Sequence, residues 1–410
     1  MLSLSFLRAH GRLLGFGVLM TFCSSVGQTF FISLFSGQIR AEFSLSDGEF
    51  GSLYSLGTLA SAAVLLGAGR LIDRVPLPLF AAAVLTLLAA VCLLMGAVAD
   101  AVLLVAVFFG LRLFGQGLAS HCAIVAMGRY FETARGRAVS VATLGHTLGE
   151  AALPAAVVAA LALAEWRQVW SGTGLLLLAL VPLVFVLLKG QRARDEAFHL
   201  QRQADAGNGA RAADRTLGAA LRDSGLWLRL PVLLASSFIG TGIIFHQVHL
   251  AQTKGWPLAL MAGAFTVFAA SSLATLLLAG PLVDRYGARR LLPVFLAPLT
   301  LACLALAASD GPLVATLFMG LLGVTTGSGA VLLGALWPEL YGVTHLGAIR
   351  AFATSAMVFS TGLAPAVMGF FIDRGMAMET IALGCALYCL LASALAFFAA
   401  QAERPRPALR

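Results

Sequence analysis

Charged residues are scarce in this sequence: only 11% of its 410 residues are Asp, Glu, Lys or Arg, whereas 60% are hydrophobic. A soluble domain of this length cannot bury so much apolar surface. Most of the surface must therefore face lipid, and we predict an integral membrane protein surrounded by a bilayer.

Signals of enzymatic chemistry are also missing. The chain has no His-Glu-x-x-His pair, no nucleotide-binding loop, and no serine or cysteine nucleophile with an evident base. The six cysteines all lie in apolar stretches without paired spacing, which excludes a disulfide framework and a zinc ribbon. We therefore predict that the protein is not an enzyme, uses no cofactor and has no metal site.

Long apolar runs dominate the chain, and each is close to the ~20 residues that span a bilayer as a helix. The first run is too long for a signal peptide and lacks a cleavage site, so we expect it to be retained. We predict an all-α membrane protein with twelve transmembrane helices. The twelve runs are 13–38, 49–70, 77–98, 101–126, 137–163, 168–188, 228–252, 258–280, 288–308, 311–336, 347–371 and 377–401.

The distribution of basic residues predicts the orientation. With both termini in the cytoplasm, the basic residues concentrate on the cytoplasmic side, as the positive-inside rule requires. The net charge of +8 then faces anionic lipid headgroups rather than nucleic acid. We predict a bacterial-type cytoplasmic (inner) membrane protein with both termini cytoplasmic. The basic residues that fall outside are Arg40, Arg167, Lys254 and Arg374.

The two halves of the chain match each other at an offset of 211 residues. We therefore predict two pseudo-symmetric six-helix bundles, 1–188 and 228–410, joined by a cytoplasmic central loop at 189–227. The matched pairs are Asp73 with Asp284, Arg74 with Arg285, Tyr130 with Tyr341, Gly136 with Gly347, and Pro154 with Pro365.

A charged loop occurs once in each half. The sequence GPLVDRYGARR begins at Gly280, and the less complete GRLIDRVPLP begins at Gly69. Both copies resemble the hallmark loop of the major facilitator superfamily, and the resemblance extends over the whole chain. It implies a monomeric secondary active transporter that works by alternating access.

The same resemblance implies a cytoplasmic gate. Its glycines let helices approach closely, its aspartates face helix N-termini in the opposite half, and its arginines add ion pairs. The alternative is a set of ordinary solvated loop charges. The candidate gating residues are Gly69, Asp73, Arg74, Arg135, Gly280, Asp284, Arg285, Arg289 and Arg290.

Ionisable residues within apolar runs indicate a coupling site, because they are costly at membrane depth. Arg112 in the fourth run and Glu150 in the fifth lie at similar depth, which favours an ion pair. His146 precedes Glu150 by one helical turn and shares its face. We expect Glu150 and His146 to carry a proton and Arg112 to bind an anion. The alternative is an ion pair that only fixes helix packing.

In the family that the chain resembles, helices 1, 4, 7 and 10 line the cavity, so polar residues there are candidate substrate ligands. His246 and His249 share a helical face, but two histidines alone do not specify a metal ion. Packing at the helix end is the alternative. The candidates are Arg112, Gln116, Gln28, His246, Gln247, His249, Thr325 and Thr326.

The segment that follows the fourth run resembles the monocarboxylate and oxalate–formate branch of the superfamily. The residues that carry this resemblance are Tyr130, Phe131, Arg135, Arg137 and Ala138, followed by the spaced glycines Gly145 and Gly149. It implies proton-coupled uptake (symport) of a small, monocarboxylate-like organic anion. The chain departs from that branch by having no lysine in helix 1 and no Asp or Arg in helix 8. The alternatives are proton-driven efflux of a hydrophobic or cationic drug and transition-metal ion transport.

Overall fold

The computed structural model describes residues 4–68, 71–72, 74–131, 135–191, 194, 216–342 and 346–402. All regular secondary structure in these ranges is helical, which confirms the prediction of an all-α protein. The chain divides into two compact units, Met1–Asn208 and Gly209–Arg410. The division falls inside the polar segment 189–227.

In the described part of the first unit, six long helices follow one another. Short helical pieces, Ser25–Gly27, Thr29–Ile32, Ser33–Phe35 and Ser36–Phe43, join the first to the second. The long helices are α1 Leu4–Ser24, α2 Asp47–Ala68, α3 Leu77–Gly96, α4 Ala101–Tyr130, α5 Arg135–Leu161 and α6 Trp166–Leu187.

The described part of the second unit also has six long helices. The first begins at Ser224, inside the segment predicted as central loop, because the Asp223 side chain caps its N-terminus by accepting from Gly225 N at 2.9 Å. The helices are α7 Ser224–Phe245, α8 Leu258–Tyr286, α9 Ala288–Ala308, α10 Pro312–Tyr341, α11 Leu346–Asp373 and α12 Met378–Ala402.

Most of these helices are long and apolar enough to cross a membrane. Among the described residues ten meet this condition, or eleven if the pair His10–Gly27 and Thr29–Phe43, bent by 47°, is one span. The helix α2 is not among them, although its 22 residues coincide with the second predicted run. Each predicted run therefore overlaps one of the long helices, although the first run, 13–38, also crosses the break at Gln28, and the count of twelve spans is met only in part.

The two units use the same helix pairings. In the first, α1 packs on α5, α2 on α4 and α3 on α6; in the second, α7 packs on α11, α8 on α10 and α9 on α12. Moreover, three pairs of helices begin one repeat, 211 residues, apart: α2 with α8, α4 with α10, and α5 with α11. The fold thus supports the internal repeat that the sequence predicts.

Two features distinguish the described part of the first unit from its repeat. Gln28 is extended (φ −86°, ψ 154°) and interrupts the first span, whereas the matching Ile239 lies inside the continuous helix α7. In α4 the stretch Leu111–Ala119 is π-helical, whereas α10 is α-helical throughout. Because π-helical turns are rare and often occur at functional sites, these departures from the repeat mark a candidate functional site.

Candidate functional site

The helix break and the π-helical stretch meet at two glycines. A Cβ atom on Gly27 would overlap the Leu111 carbonyl oxygen and lie 2.8 Å from the Gln116 backbone nitrogen. A Cβ atom on Gly115 would lie 2.7 Å from Gly27 Cα. The two backbones can approach this closely only because neither residue carries a side chain.

Arg112 fixes this junction from within the π-helical stretch. Its side chain is buried, with the residue only 2% exposed, and its Nη1 donates to the Gly27 carbonyl oxygen at 3.2 Å. Its Cζ lies 5.5 Å from the Tyr54 ring centroid, and the Tyr54 hydroxyl shares a 2.8 Å hydrogen bond with Thr29 Oγ1. Arg112 therefore satisfies a carbonyl group that the broken helix leaves free.

The predicted ion pair between Arg112 and Glu150 is not formed. Among the described residues no carboxylate lies within 4 Å of Arg112, whose Nε has no hydrogen-bond partner there. Glu150 pairs instead with His146, whose Nε2 lies 3.3 Å from Glu150 Oε1. Similar depth does not ensure that two side chains on neighbouring helices face each other, whereas i and i+4 positions on one helix do.

The His146–Glu150 pair is more accessible than Arg112. The two side chains are 35% and 14% exposed, whereas Arg112 is 2% exposed. The His146 ring lies 6.3 Å from the ring of Phe30, which follows the helix break. The His146–Glu150 pair therefore lies beside the helix break, at which Arg112 donates a hydrogen bond to the Gly27 carbonyl oxygen.

The helix that carries this pair packs tightly against α1. A Cβ atom on Gly149 would overlap the Ser25 hydroxyl oxygen, and one on Gly145 would overlap the Thr21 hydroxyl oxygen. The Thr21 hydroxyl donates to the Ala142 carbonyl oxygen across the same interface. The spacing Gly145-x-x-x-Gly149 is the small-residue pattern that lets membrane helices approach. It holds α5, with His146 and Glu150, against the segment that leads to the break.

Two predicted substrate residues lie at the junction as well. Gln28 is half-buried at the break itself, where its backbone nitrogen donates to Ser25 O at 3.1 Å. Gln116 is half-buried in the π-helical stretch, and its carbonyl oxygen accepts from the Ser120 hydroxyl. The structure thus places Arg112, Gln28 and Gln116 at one junction.

The predicted residues of helix 7 are placed differently. His246 and Gln247 are buried, and His246 Nε2 lies 3.0 Å from the Pro365 carbonyl oxygen, which ties the end of α7 to α11. His249 is half-buried. The part of the chain that the structure describes contains no group of three or more His, Cys, Asp or Glu that could hold a metal ion. The geometry of His246 is that of a packing residue.

Thr325 and Thr326 line a cavity of 380 Å³ within the second unit, between α7, α9, α10 and α11. Their hydroxyls donate to the carbonyl oxygens of the preceding turn, at 3.1 and 3.0 Å. Arg350, near the start of α11, lines the same cavity. Sequence reasoning missed Arg350 because a basic residue near the predicted cytoplasmic end of a span resembles a topogenic loop charge.

The second copy of the charged loop has an unexpected partner. Gly287 adopts φ +80°, a conformation that favours glycine, and the next residue, Ala288, donates its N–H to Glu339 Oε2 at 2.7 Å. The Glu339 carboxylate thus caps the N-terminus of α9. Glu339 lies in the last turn of α10, and the charged-loop pattern did not include it.

The other candidate gating residues make few described contacts. Asp284, Arg285, Arg290 and Arg74 are exposed and Arg289 is half-buried; the Arg285 Cζ lies 5.3 Å from the Tyr286 ring centroid. A Cβ atom on Gly280 would meet no atom of the described residues within 4 Å, so this structure shows no close helix approach there, and the gating role of Gly280 stays a prediction. Gly69, Asp73 and the side chain of Arg135 lie outside the described residues.

On the predicted outer side of the second unit, Lys254 connects the segment after α7 to the turn between α9 and α10 and to the first turn of α12. Its Nζ pairs with Asp310 and lies 2.5 Å from Glu379 Oε1. Burial lowers the pKa of Lys254, but hydrogen bonds and charge from the two carboxylates outweigh this effect and raise it above the usual range. Lys254 is therefore charged at neutral pH.

Comparison with known proteins identifies the architecture. The family model described as the Major Facilitator Superfamily matches residues 17–265 and 240–410. A bacterial homologue of the human lysosomal transporter Spinster, in an inward-facing occupied conformation, is similar at TM-score 0.71 and 15% identity, over 97% of this chain and 99% of that chain. The nucleoside transporter NupG is similar at TM-score 0.63 and 12% identity, over 96% and 100%. At these identities the likeness concerns the fold alone. No curated protein sequence matches the chain.

Proposed function

This chain belongs to the major facilitator superfamily and is a membrane transporter rather than an enzyme, and we propose that it takes up a small organic anion together with protons. The proposed location is a bacterial-type cytoplasmic membrane, with both termini cytoplasmic and the chain acting as a monomer. The observation that carries the proposal is the partly exposed His146–Glu150 pair beside the helix break.

Proton coupling follows from the chemistry of this pair. A carboxylate and an imidazole within a membrane span are costly and are kept where a charge must move. Because His146 lies within ion-pair distance of Glu150, one proton can be shared between them or removed to leave a single negative charge. Proton binding therefore changes the net charge beside the junction of α1 and α4.

Arg112 has a positioning role in this account. It is buried and holds the Gly27 carbonyl oxygen, so it does not contact a solute in this conformation. A fixed cation beside the break responds to the charge of the nearby His146–Glu150 pair, because electrostatic forces are strong where water is excluded. We propose that this response links protonation to the shape of the broken first span.

The gate remains part of the proposal. In alternating access, contacts on one side must break before the other side closes. Gly287 and Glu339 give the second charged loop a fixed shape, from which Asp284 and Arg285 project as exposed charges. We propose that these charges, with Asp73 and Arg135 in the first unit, hold the cytoplasmic side closed.

One observation favours a second candidate function. The half-buried Glu150 side chain is 14% exposed whereas Arg112 is only 2% exposed, so a cationic solute would meet the carboxylate before the guanidinium. In proton-driven efflux, the Glu150 carboxylate would bind the hydrophobic cation, and a proton entering the cell would displace it outward. Drug susceptibility of a deletion strain separates the two functions, because only the efflux function predicts hypersensitivity to cationic compounds.

Uptake by purified protein in proteoliposomes tests the main proposal. Labelled lactate, as a probe monocarboxylate, should accumulate when the outside is acidic and stop accumulating when a protonophore collapses the gradient. Glu150→Gln should lose the response to the pH gradient. The control Glu49→Gln changes an exposed carboxylate that accepts a hydrogen bond from the Ser46 backbone, and it should retain the response. Uptake that does not respond to the gradient in the wild type would refute proton coupling.

A further inference from the structure

We propose that the cavity of the second unit is the site that binds the acidic group of the solute, and that Arg350 is the residue that holds it. The inference rests on the proposed function and specifies its substrate class: a compact monoanion with an apolar body. The cavity, rather than the Arg112 junction, then supplies the positive charge for the anion.

The cavity exists because α10 presents small residues to it. Gly329, Ala330 and Gly334 are part of its lining, and a Cβ atom on Gly334 would meet nothing within 4 Å. Its volume of 380 Å³ is near the lower end of the ~300–1,000 Å³ typical of small-molecule sites. The space therefore suits a compact solute.

The charge of the cavity comes from Arg350. The residue is exposed, and among the described residues it makes no ion pair or hydrogen bond. It shares one face of α11 with Thr354 and Met357, which line the same cavity. A guanidinium group binds a carboxylate through two parallel hydrogen bonds, and the hydroxyls of Ser237 and Thr354 can donate further ones.

The rest of the lining is apolar. Phe295, Leu333, Trp337 and Met357 form this part of the wall. The Trp337 ring is itself held by stacking on Tyr341, at 6.5 Å between centroids. One cation beside an apolar wall matches a single negative charge attached to a hydrocarbon or aromatic group, and it disfavours strongly hydrated multivalent anions.

The sequence predicts that Arg112 both binds the anion and responds to the proton-carrying pair. In our proposal Arg350 binds the anion, and Arg112 keeps only the second role. Arg112 is enclosed and bonded to a backbone carbonyl, whereas Arg350 is exposed and lines an open space. A ligand can reach a cation only where solvent can reach it. The structure therefore favours Arg350 as the anion ligand.

Thiol labelling tests the charge of the cavity without knowledge of the solute. In Gly334→Cys, we compare the rates of modification by anionic and cationic methanethiosulfonate reagents of similar size, after subtracting the labelling of the wild-type chain. The anionic reagent should be favoured, and adding Arg350→Gln should lower the anionic-to-cationic rate ratio by roughly three- to tenfold. Arg350→Lys should retain the preference, and Arg374→Gln, a change on the predicted outer side, should leave the ratio unaltered.

Protection by benzoate, as the probe anion, tests binding directly. Benzoate should slow labelling of the introduced thiol in the Arg350 background and not in the Arg350→Gln background. A rate ratio that Arg350→Gln leaves unchanged, or a thiol that benzoate does not protect, overturns the inference even if lactate uptake stays coupled to protons. Conversely, uptake that ignores the gradient refutes the proposed function while the labelling ratio still reports on Arg350.

Discussion

Gly27 and Gly115 face each other so closely that a Cβ atom on Gly115 would lie 2.7 Å from Gly27 Cα. This contact joins the extended break at Gln28 to the π-helical stretch of α4, the two features that set the first unit apart from its repeat. Arg112 adds a hydrogen bond to the same glycine. The two departures of the first unit from its repeat therefore meet at one backbone contact.

Adding one methyl group at the junction should be costly. Gly27→Ala places a Cβ atom against the backbone of α4, which cannot move aside as a flexible side chain would, so we expect a loss of about 1–3 kcal/mol in stability. Thermal unfolding in detergent measures the effect. Gly128→Ala is the matched control, because its Cβ atom meets nothing within 4 Å. Equal stability of the two variants would contradict the tight junction.

Arg112 should matter more for transport than for folding. Replacing Arg112 leaves the Gly27 carbonyl oxygen without its donor, a cost of about 1–3 kcal/mol. The same change removes the desolvation cost of a buried charge that has no carboxylate partner among the described residues, which offsets much of that cost. We expect Arg112→Met to unfold within about 1 kcal/mol of the wild type yet to lose most lactate uptake. Leu118→Met, also in the π-helical stretch, should retain uptake. Normal uptake by Arg112→Met would remove Arg112 from the mechanism.

The two glycines of the second charged loop should differ in sensitivity. Gly287 has φ +80° and its Cβ position lies 3.1 Å from Glu339 Oε1, so Gly287→Ala should cost about 1–2 kcal/mol and weaken the cap on α9. Gly280→Ala should be neutral, because space is open there. Thermal unfolding and lactate uptake are measured for both variants. A larger loss in Gly280→Ala than in Gly287→Ala would contradict the prediction and would indicate that a helix contacts Gly280 in another state of the transport cycle.

Lys254 should make stability sensitive to alkaline pH. A lysine whose folded pKa is raised stabilises the fold fully below its unfolded pKa, about 10.4, and this contribution is lost as pH rises through the folded value. Because Asp310 and Glu379 are 72% and 39% exposed, solvent screens the pairs and limits their contribution to about 1 kcal/mol. Lys254→Met should unfold at a lower temperature at neutral pH and show a smaller decline above about pH 10. Identical alkaline profiles would contradict this.

The helical architecture could be predicted from the sequence because a bilayer imposes one length and one composition on every span. Each apolar run overlaps a long helix, and α4 and α10 begin 211 residues apart, as the internal match predicts. Periodicity gave no sign of the break at Gln28 or of the π-helical turn. Both depend on the contact between Gly27 and Gly115, which joins residues far apart in the chain.

The candidate site could be predicted only in part, because depth along a helix is readable from sequence whereas rotation about its axis is not. Arg112 and Glu150 were assigned to one depth, yet Glu150 pairs with His146. Arg350 carries the charge of a cavity that is formed by residues from four helices, and no local pattern marks it. Gly280 matched a motif whose close helix contact is not formed in the described residues.

Proton movement driven by the solute tests the central claim most directly. Proteoliposomes that contain a pH-sensitive dye are given an inward lactate gradient, and protein-free vesicles correct for passive entry of the acid. The wild type should acidify the lumen as lactate enters, whereas Glu150→Gln should exchange labelled lactate across the membrane without acidifying the lumen beyond the protein-free rate. If Glu150→Gln acidifies the lumen as fast as the wild type, the His146–Glu150 pair does not carry the proton.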